Sequence, residues 1–180
     1  MEAFLTMGGG GGGYTLALIG LGLMVGLSGA GSGWGFAMTG SAVLGVLKKK
    51  PEAFGSCLIP GALPSTNGIY GFVGFVLYNG TIQGIISDGN VLSVAQGAII
   101  LGAGLMMGIA CLITCLGQAK IAAVGIVGIG GGHNVLGNTM ILAAFPEFYA
   151  ILSLVGAILL LDVITALPAL PLAAAAAAGM

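Results

Sequence analysis

TMILAAFPEFYAILSLVGAILLL, residues 139–161, is an apolar run long enough to cross a membrane, with one carboxylate, Glu147, in its midst. An ionised carboxylate at a bilayer centre costs roughly 2.5–3.5 kcal/mol on insertion scales. A chain that accepts this cost uses the group, neutralising it with a proton or cation and releasing it again, or keeps it protonated between helices. The rest of the sequence is as apolar as this run. The 180 residues are 58% hydrophobic and 5% charged with mean hydropathy +1.16, which places the chain among integral membrane proteins. There is no arginine, so no nucleic-acid footprint exists.

Apolar stretches run over about Thr15–Leu47, Phe54–Tyr78, Val91–Ile129 and Thr139–Leu167. Each meets the roughly 20 residues that a helix needs to cross the hydrocarbon core. The expected class is therefore an all-α membrane protein of four transmembrane helices arranged as two hairpins. Its expected parts are a Gly-rich N-terminal segment (1–13), a first hairpin (14–80) and an outer loop (81–90). A second hairpin carrying the carboxylate (91–167) and a C-terminal tail (168–180) follow. The N-terminus carries Glu2 and a glycine run but no basic residue ahead of an apolar core, a poor secretory signal. Lys48, Lys49 and Lys50 hold three of the four basic residues in one short connection, which places both hairpin tips in the cytoplasm.

The hairpins read as copies of one another. Leu23-Met24-Val25-Gly26 is echoed by Leu105-Met106-Met107-Gly108, and sliding the halves with small gaps sets Asn67 opposite Glu147. Gly22, Gly26, Gly29 and Gly33 on the first helix, and Gly104 and Gly108 on the third, stand at small-xxx-small spacing, which lets backbones approach closely. The second and fourth helices are bulkier and contain Pro60, Pro64 and Pro146. The expected arrangement is an inner layer of first and third helices and an outer layer of second and fourth.

Polar residues converge on one depth. Leu63, Thr66, Asn67 and Tyr70 fall on one helix face, Asn67 lies near mid-span, and Gln118 and Glu147 match its depth. Carboxylate, amide, hydroxyl and freed backbone carbonyl oxygens suit a hard cation. Ordinary interhelical hydrogen bonding would use the same residues. Cys57, Cys111 and Cys115 lack metal-ligand company and read as small buried hydrophobes. Lys120 is read as facing a lumen or snorkelling, Asp88 and Asp162 as solvated, and Gly8–Gly13 as no phosphate loop.

PEAFGSCLIPGALPSTNGIYGFV (51–73), LGQAKIAAVG (116–125) and GGGHNVLGNTMILAAFPEFYAIL (130–152) resemble the second, third and fourth helices of the proteolipid (K, or c) subunit of bacterial V/A-type rotary ATPases. The resemblance covers about residues 20–162. It implies a duplicated four-helix proteolipid assembled as a homo-oligomeric rotor ring, with no nucleotide site of its own and no covalent cofactor. It further implies a stator membrane subunit offering an arginine, a soluble central-stalk subunit at the cytoplasmic loops near His133, lipid contact, and residence in a bacterial or archaeal plasma membrane. By resemblance Glu147 is the ion-carrying carboxylate, and the backbone carbonyl of Leu63 with Thr66, Asn67, Tyr70 and Gln118 matches the sodium-site positions. Sodium-pumping members usually have glutamine where this chain has Asn67, one methylene shorter. The residues favour Na+ over H+ as the carried ion, since a proton needs only the carboxyl. The alternative is a non-transporting membrane proteolipid forming a pore or assembly scaffold.

Overall fold

The computed structural model describes residues 11–168 and 170–173. Residues 1–10 of the Gly-rich segment, and residues 169 and 174–180 of the tail, lie outside them. Four helical spans follow one another. The first is α1 (Gly11–Leu47), so the last three glycines of the N-terminal run are already helical. The second, Pro51–Ser87, is built of a 3₁₀ turn, α2 (Phe54–Ala62), a second 3₁₀ turn at Leu63–Ser65 and α3 (Thr66–Ser87). The third and fourth are α4 (Val94–Gly130) and α5 (Leu136–Ala166). At 1.5 Å per residue the 37-residue α1 and α4 are each about 55 Å long and outreach a hydrocarbon core of about 30 Å.

The prolines explain the broken second span. Pro64 lacks an N–H for the helix ladder, and the chain tightens to a 3₁₀ turn around it. The loop expected at 81–90 is shorter than its polar residues suggest, because α3 continues to Ser87. The hydroxyls of Thr81 and Ser87 fold back onto the carbonyls of Leu77 (3.2 Å) and Gly84 (2.8 Å), and Ile82 continues the buried face of Tyr78. Gly89, at φ +73°, turns the chain out of the helix. Ser93 and Gln96 then start α4 with a reciprocal capping box, three residues later than the apolar run begins. Beside this turn, β1 (Asn90–Val91) pairs antiparallel with β2 (Leu170–Pro171), and Leu172 N–H donates to the Gly89 carbonyl at 3.2 Å. The described part of the tail is thus tied back to the connection between the hairpins.

The first and third helices form the most extensive contact in the molecule, as the inner layer requires. The glycines that permit it are only partly those expected. A Cβ on Gly20 would lie 2.6 Å from the Ile100 carbonyl oxygen, and one on Gly31 2.8 Å from Leu112 Cα. From the other side, Gly104 abuts the Gly20 backbone and Gly108 the Leu23 carbonyl. Gly22, Gly26, Gly29 and Gly33 meet nothing within 4 Å. They lie on another face of α1: four-residue spacing identifies a stripe, but not which neighbour it turns toward.

Side chains that donate to backbone carbonyls fasten the outer spans to this inner pair and to each other. Thr39 Oγ1 donates to Gly61 (2.6 Å), Tyr78 OH to Ala157 (2.6 Å) and Gln96 Nε2 to Ile164 (3.1 Å). Gly71 leaves room for Ser28, and Gly74 for the sulfurs of Met24 and Met107. Apolar burial falls into two clusters. The larger includes Met24, Tyr78, Ile100 and Met107; the smaller, near the lysine loop, contains Val43, Val46, Cys57 and Ile126. Asn67 and Gln118 are fully buried polar residues.

Candidate functional site

The kink in the second span prepares the site. Three carbonyls around it take side-chain donors: Gly61 from Thr39, Leu63 from Thr66 Oγ1 (2.8 Å), and Pro64 from both Ser32 Oγ (2.7 Å) and Cys115 Sγ (3.1 Å). Ser32 also accepts the Gly68 N–H at 2.7 Å, so one hydroxyl from α1 is wedged into the first turn of α3. That wedge fixes the start of the helix that carries Asn67 and Tyr70.

From there a continuous chain of hydrogen bonds crosses three spans. Tyr70 OH donates to Glu147 Oε1 at 2.8 Å, and Gln118 Nε2 donates to Glu147 Oε2 at 3.1 Å. Gln118 Nε2 also approaches the Ala143 carbonyl (3.3 Å), while its Oε1 accepts from Asn67 Nδ2 at 3.0 Å. Asn67 Oδ1 accepts from Thr114 Oγ1 at 3.2 Å. Asn67 and Gln118 are fully buried, whereas Tyr70 and Glu147 are half-buried at the open edge of the network. Every buried side-chain nitrogen and oxygen among the described residues has a partner.

Of the six residues expected from sequence, four share this network: Asn67, Tyr70, Gln118 and Glu147. Leu63 and Thr66 bond to each other one turn before Tyr70, and the Thr66 side chain also meets the Tyr70 hydroxyl, which in turn donates to Glu147. Asn67, the shorter amide, meets Gln118 and not the carboxylate. Thr114, Ser32 and the Ala143 carbonyl were missing from the expected set. The signal for Thr114 was present, since it stands four residues before Gln118 on the same helix face. Ser32 offered only an ordinary serine among glycines. Cys57, Cys111 and Cys115 are free and buried, and Lys120 is exposed on α4.

Chemically, the arrangement is a half-buried carboxylate at the edge of a hydrogen-bonded wall. Two donors hold its oxygens, and carbonyl, hydroxyl and amide oxygens lie within neighbouring turns. The sequence profile of the ATP synthase C-subunit family matches residues 19–78 and, a second time, residues 101–160. The chain belongs to that family. This family member is 36% identical over 161 residues to the V-type sodium ATPase subunit K of Enterococcus hirae, covering 89% of this chain and 97% of that one. It is 35% identical over 146 residues to the A-type ATP synthase subunit K of Methanocaldococcus jannaschii, covering 81% of this chain and 61% of that longer protein.

The repeat matches bear on the register of the duplication. They start 82 residues apart (19 and 101) and end 82 apart (78 and 160). Taken without gaps, that offset sets Pro64-Ser65 against Pro146-Glu147, whereas setting Asn67 opposite Glu147 needs a two-residue gap. In the gap-free register the first hairpin has the exposed Ser65 where the second has the acid.

Proposed function

We propose that the chain is the rotor-ring subunit of a V/A-type ATPase and carries Na+ across the membrane on Glu147, with H+ the second candidate. The observation that carries this reading is the half-buried Glu147 carboxylate, held mid-span by Tyr70 and Gln118. A carboxylate kept at a lipid-exposed edge can be neutralised from outside, and one sealed in the core cannot. Glu147, Gln118 and Tyr70 form the working edge of the site; Thr66 and the Leu63 carbonyl supply further oxygens, and Asn67 supports Gln118. The sodium assignment is supported by the name of the Enterococcus hirae relative and by oxygen donors exceeding what a proton needs.

Several copies form the ring. Its support is the open glycine face of α1, Gly22 to Gly33, together with Gly102 and Gly117 on α4, which also meet nothing within 4 Å. Under the 82-residue offset Gly22 and Gly26 correspond to Gly104 and Gly108, and Gly102 and Gly117 to Gly20 and Gly35, all of them closely packed within the chain. The Lys48–Lys50 loop supports cytoplasmic hairpin tips, where a central-stalk subunit docks beside His133. A stator arginine meets Glu147 as each copy passes and displaces its ion. The test is Glu147→Gln in the assembled complex. The reading expects a ring of unchanged mass with ATP-driven ion transport abolished; undiminished transport would overturn it, and failure of the ring to form would favour a scaffold role for the carboxyl.

A further inference from the structure

The geometry points to Thr114 as a positioning residue that sets which end of the Gln118 amide faces Glu147, and so whether the site is arranged to hold a cation. The inference rests on the sodium reading above. In the arrangement described, Gln118 turns its NH₂ toward Glu147. That suits an empty, charged carboxylate, but a cation beside Glu147 needs the amide oxygen there instead. Turning Gln118 over brings its NH₂ against Asn67, whose own NH₂ now occupies that place. Asn67 must therefore turn as well, and its NH₂ then faces Thr114 Oγ1.

Thr114 can serve both arrangements because a hydroxyl donates once and accepts twice. Its single proton has two principal claimants, the Ala110 carbonyl at 2.7 Å and Asn67 Oδ1 at 3.2 Å. With the proton on Asn67 Oδ1, the amides stand as described and Gln118 donates to Glu147. With the proton on Ala110, the shorter contact, Oγ1 is free to accept from the turned Asn67, and the Gln118 oxygen faces the ion. Rotation of two amides and one hydroxyl connects the states and no bond to hydrogen breaks; the turned Gln118 gives up its contact with the Ala143 carbonyl and keeps Asn67 as its acceptor. A glutamine in place of Asn67 would reach one methylene further; the shorter asparagine stops at Gln118, which makes Thr114 the outer anchor of the relay.

The sign of the effect follows from what valine would remove. Without the hydroxyl, the empty arrangement leaves Asn67 with an under-used carbonyl, whereas the loaded one leaves a buried NH₂ with no acceptor. Orphaned donors are the rarer and costlier of the two. Thr114→Val should therefore weaken the loaded state selectively. The experiment is carbodiimide labelling of Glu147 in the purified ring at fixed pH, with NaCl as the probe. For Thr114→Val the sodium concentration giving half-protection should rise about tenfold, while Glu147 still labels in its absence, and Thr114→Ser should remain within about twofold of the unaltered protein. Should the valine ring not assemble, Thr114→Ala carries the same expectation. Protection of the valine or alanine variant at the unaltered concentration, or a serine variant as weak as valine, overturns the relay and leaves the sodium site standing. Absence of sodium protection in the unaltered ring overturns the sodium reading and the relay with it.

Discussion

Gly104→Ala and Gly22→Ala differ by one methyl each, on helices of one layer, yet should act in opposite directions on the single chain. At Gly104 the new Cβ would lie 2.6 Å from the carbonyl carbon of Gly20 and 2.8 Å from its Cα, with the carbonyl oxygen nearer still. These neighbours are backbone and cannot swing aside. Restoring ordinary contact separates α1 from α4 by about 1 Å, which forfeits a quarter to a half of the dispersion well for each pair of atoms along the seam. In a membrane such packing is the main attraction between helices. Overpacking in cores costs about 1–3 kcal/mol, and the immobility of the neighbours sets this case at about 3 kcal/mol. At Gly22 the methyl meets nothing within 4 Å, and alanine gains about 0.8–1.0 kcal/mol over glycine in a helix interior. The two variants should thus differ by about 4 kcal/mol in the isolated chain. Cys111 and Cys115 provide the assay, because both are fully buried. Their maleimide reactivity, followed through an SDS titration of dispersed single chains, should appear much earlier for Gly104→Ala and no earlier for Gly22→Ala. Equal midpoints, or an earlier one for Gly22→Ala, would refute the assignment of the packed and open faces.

Tyr78→Phe removes the 2.6 Å bond to the Ala157 carbonyl and should cost about 0.6 kcal/mol, the usual scale for an interhelical hydrogen bond in a membrane; the same SDS titration measures it. Ser32→Ala removes the hydroxyl wedged between the Pro64 carbonyl and the Gly68 N–H, and should cost about 1–3 kcal/mol. It should also speed hydrogen exchange of the amides at the start of α3, read by mass spectrometry, whereas amides near Ser87 stay unchanged.

Much of the fold was legible because membrane spans obey few rules. Length and hydropathy located all four helices, and the glycine content of the first and third marked the inner pair. Which glycines touch was not legible: Gly20 and Gly22 are two residues apart, and only the rotational setting of α1, fixed by every contact along its length, turns one inward. The extension of α3 to Ser87 was hidden because Thr81, Gln83 and Ser87 read as loop residues, although hydroxyls can satisfy themselves on their own helix. At the site, side-chain type and depth were enough to gather Asn67, Tyr70, Gln118 and Glu147. Thr114 and Ser32 escaped because a lone hydroxyl in a membrane helix commonly bonds its own i−4 carbonyl, as Thr114 also does with Ala110. The register of the duplication was less legible, because Ser65 falls opposite Glu147 without a gap and Asn67 does so with a two-residue one.

The central claim is that Glu147 reversibly binds the transported ion at the open edge of a hydrogen-bonded wall. Carbodiimide labelling of the purified ring, followed across pH with and without NaCl and mapped by mass spectrometry, tests it most directly. The account predicts modification at Glu147 that sodium suppresses at every pH at which the carboxyl reacts. A ring in which Glu147 stays unmodified under all conditions would contradict it.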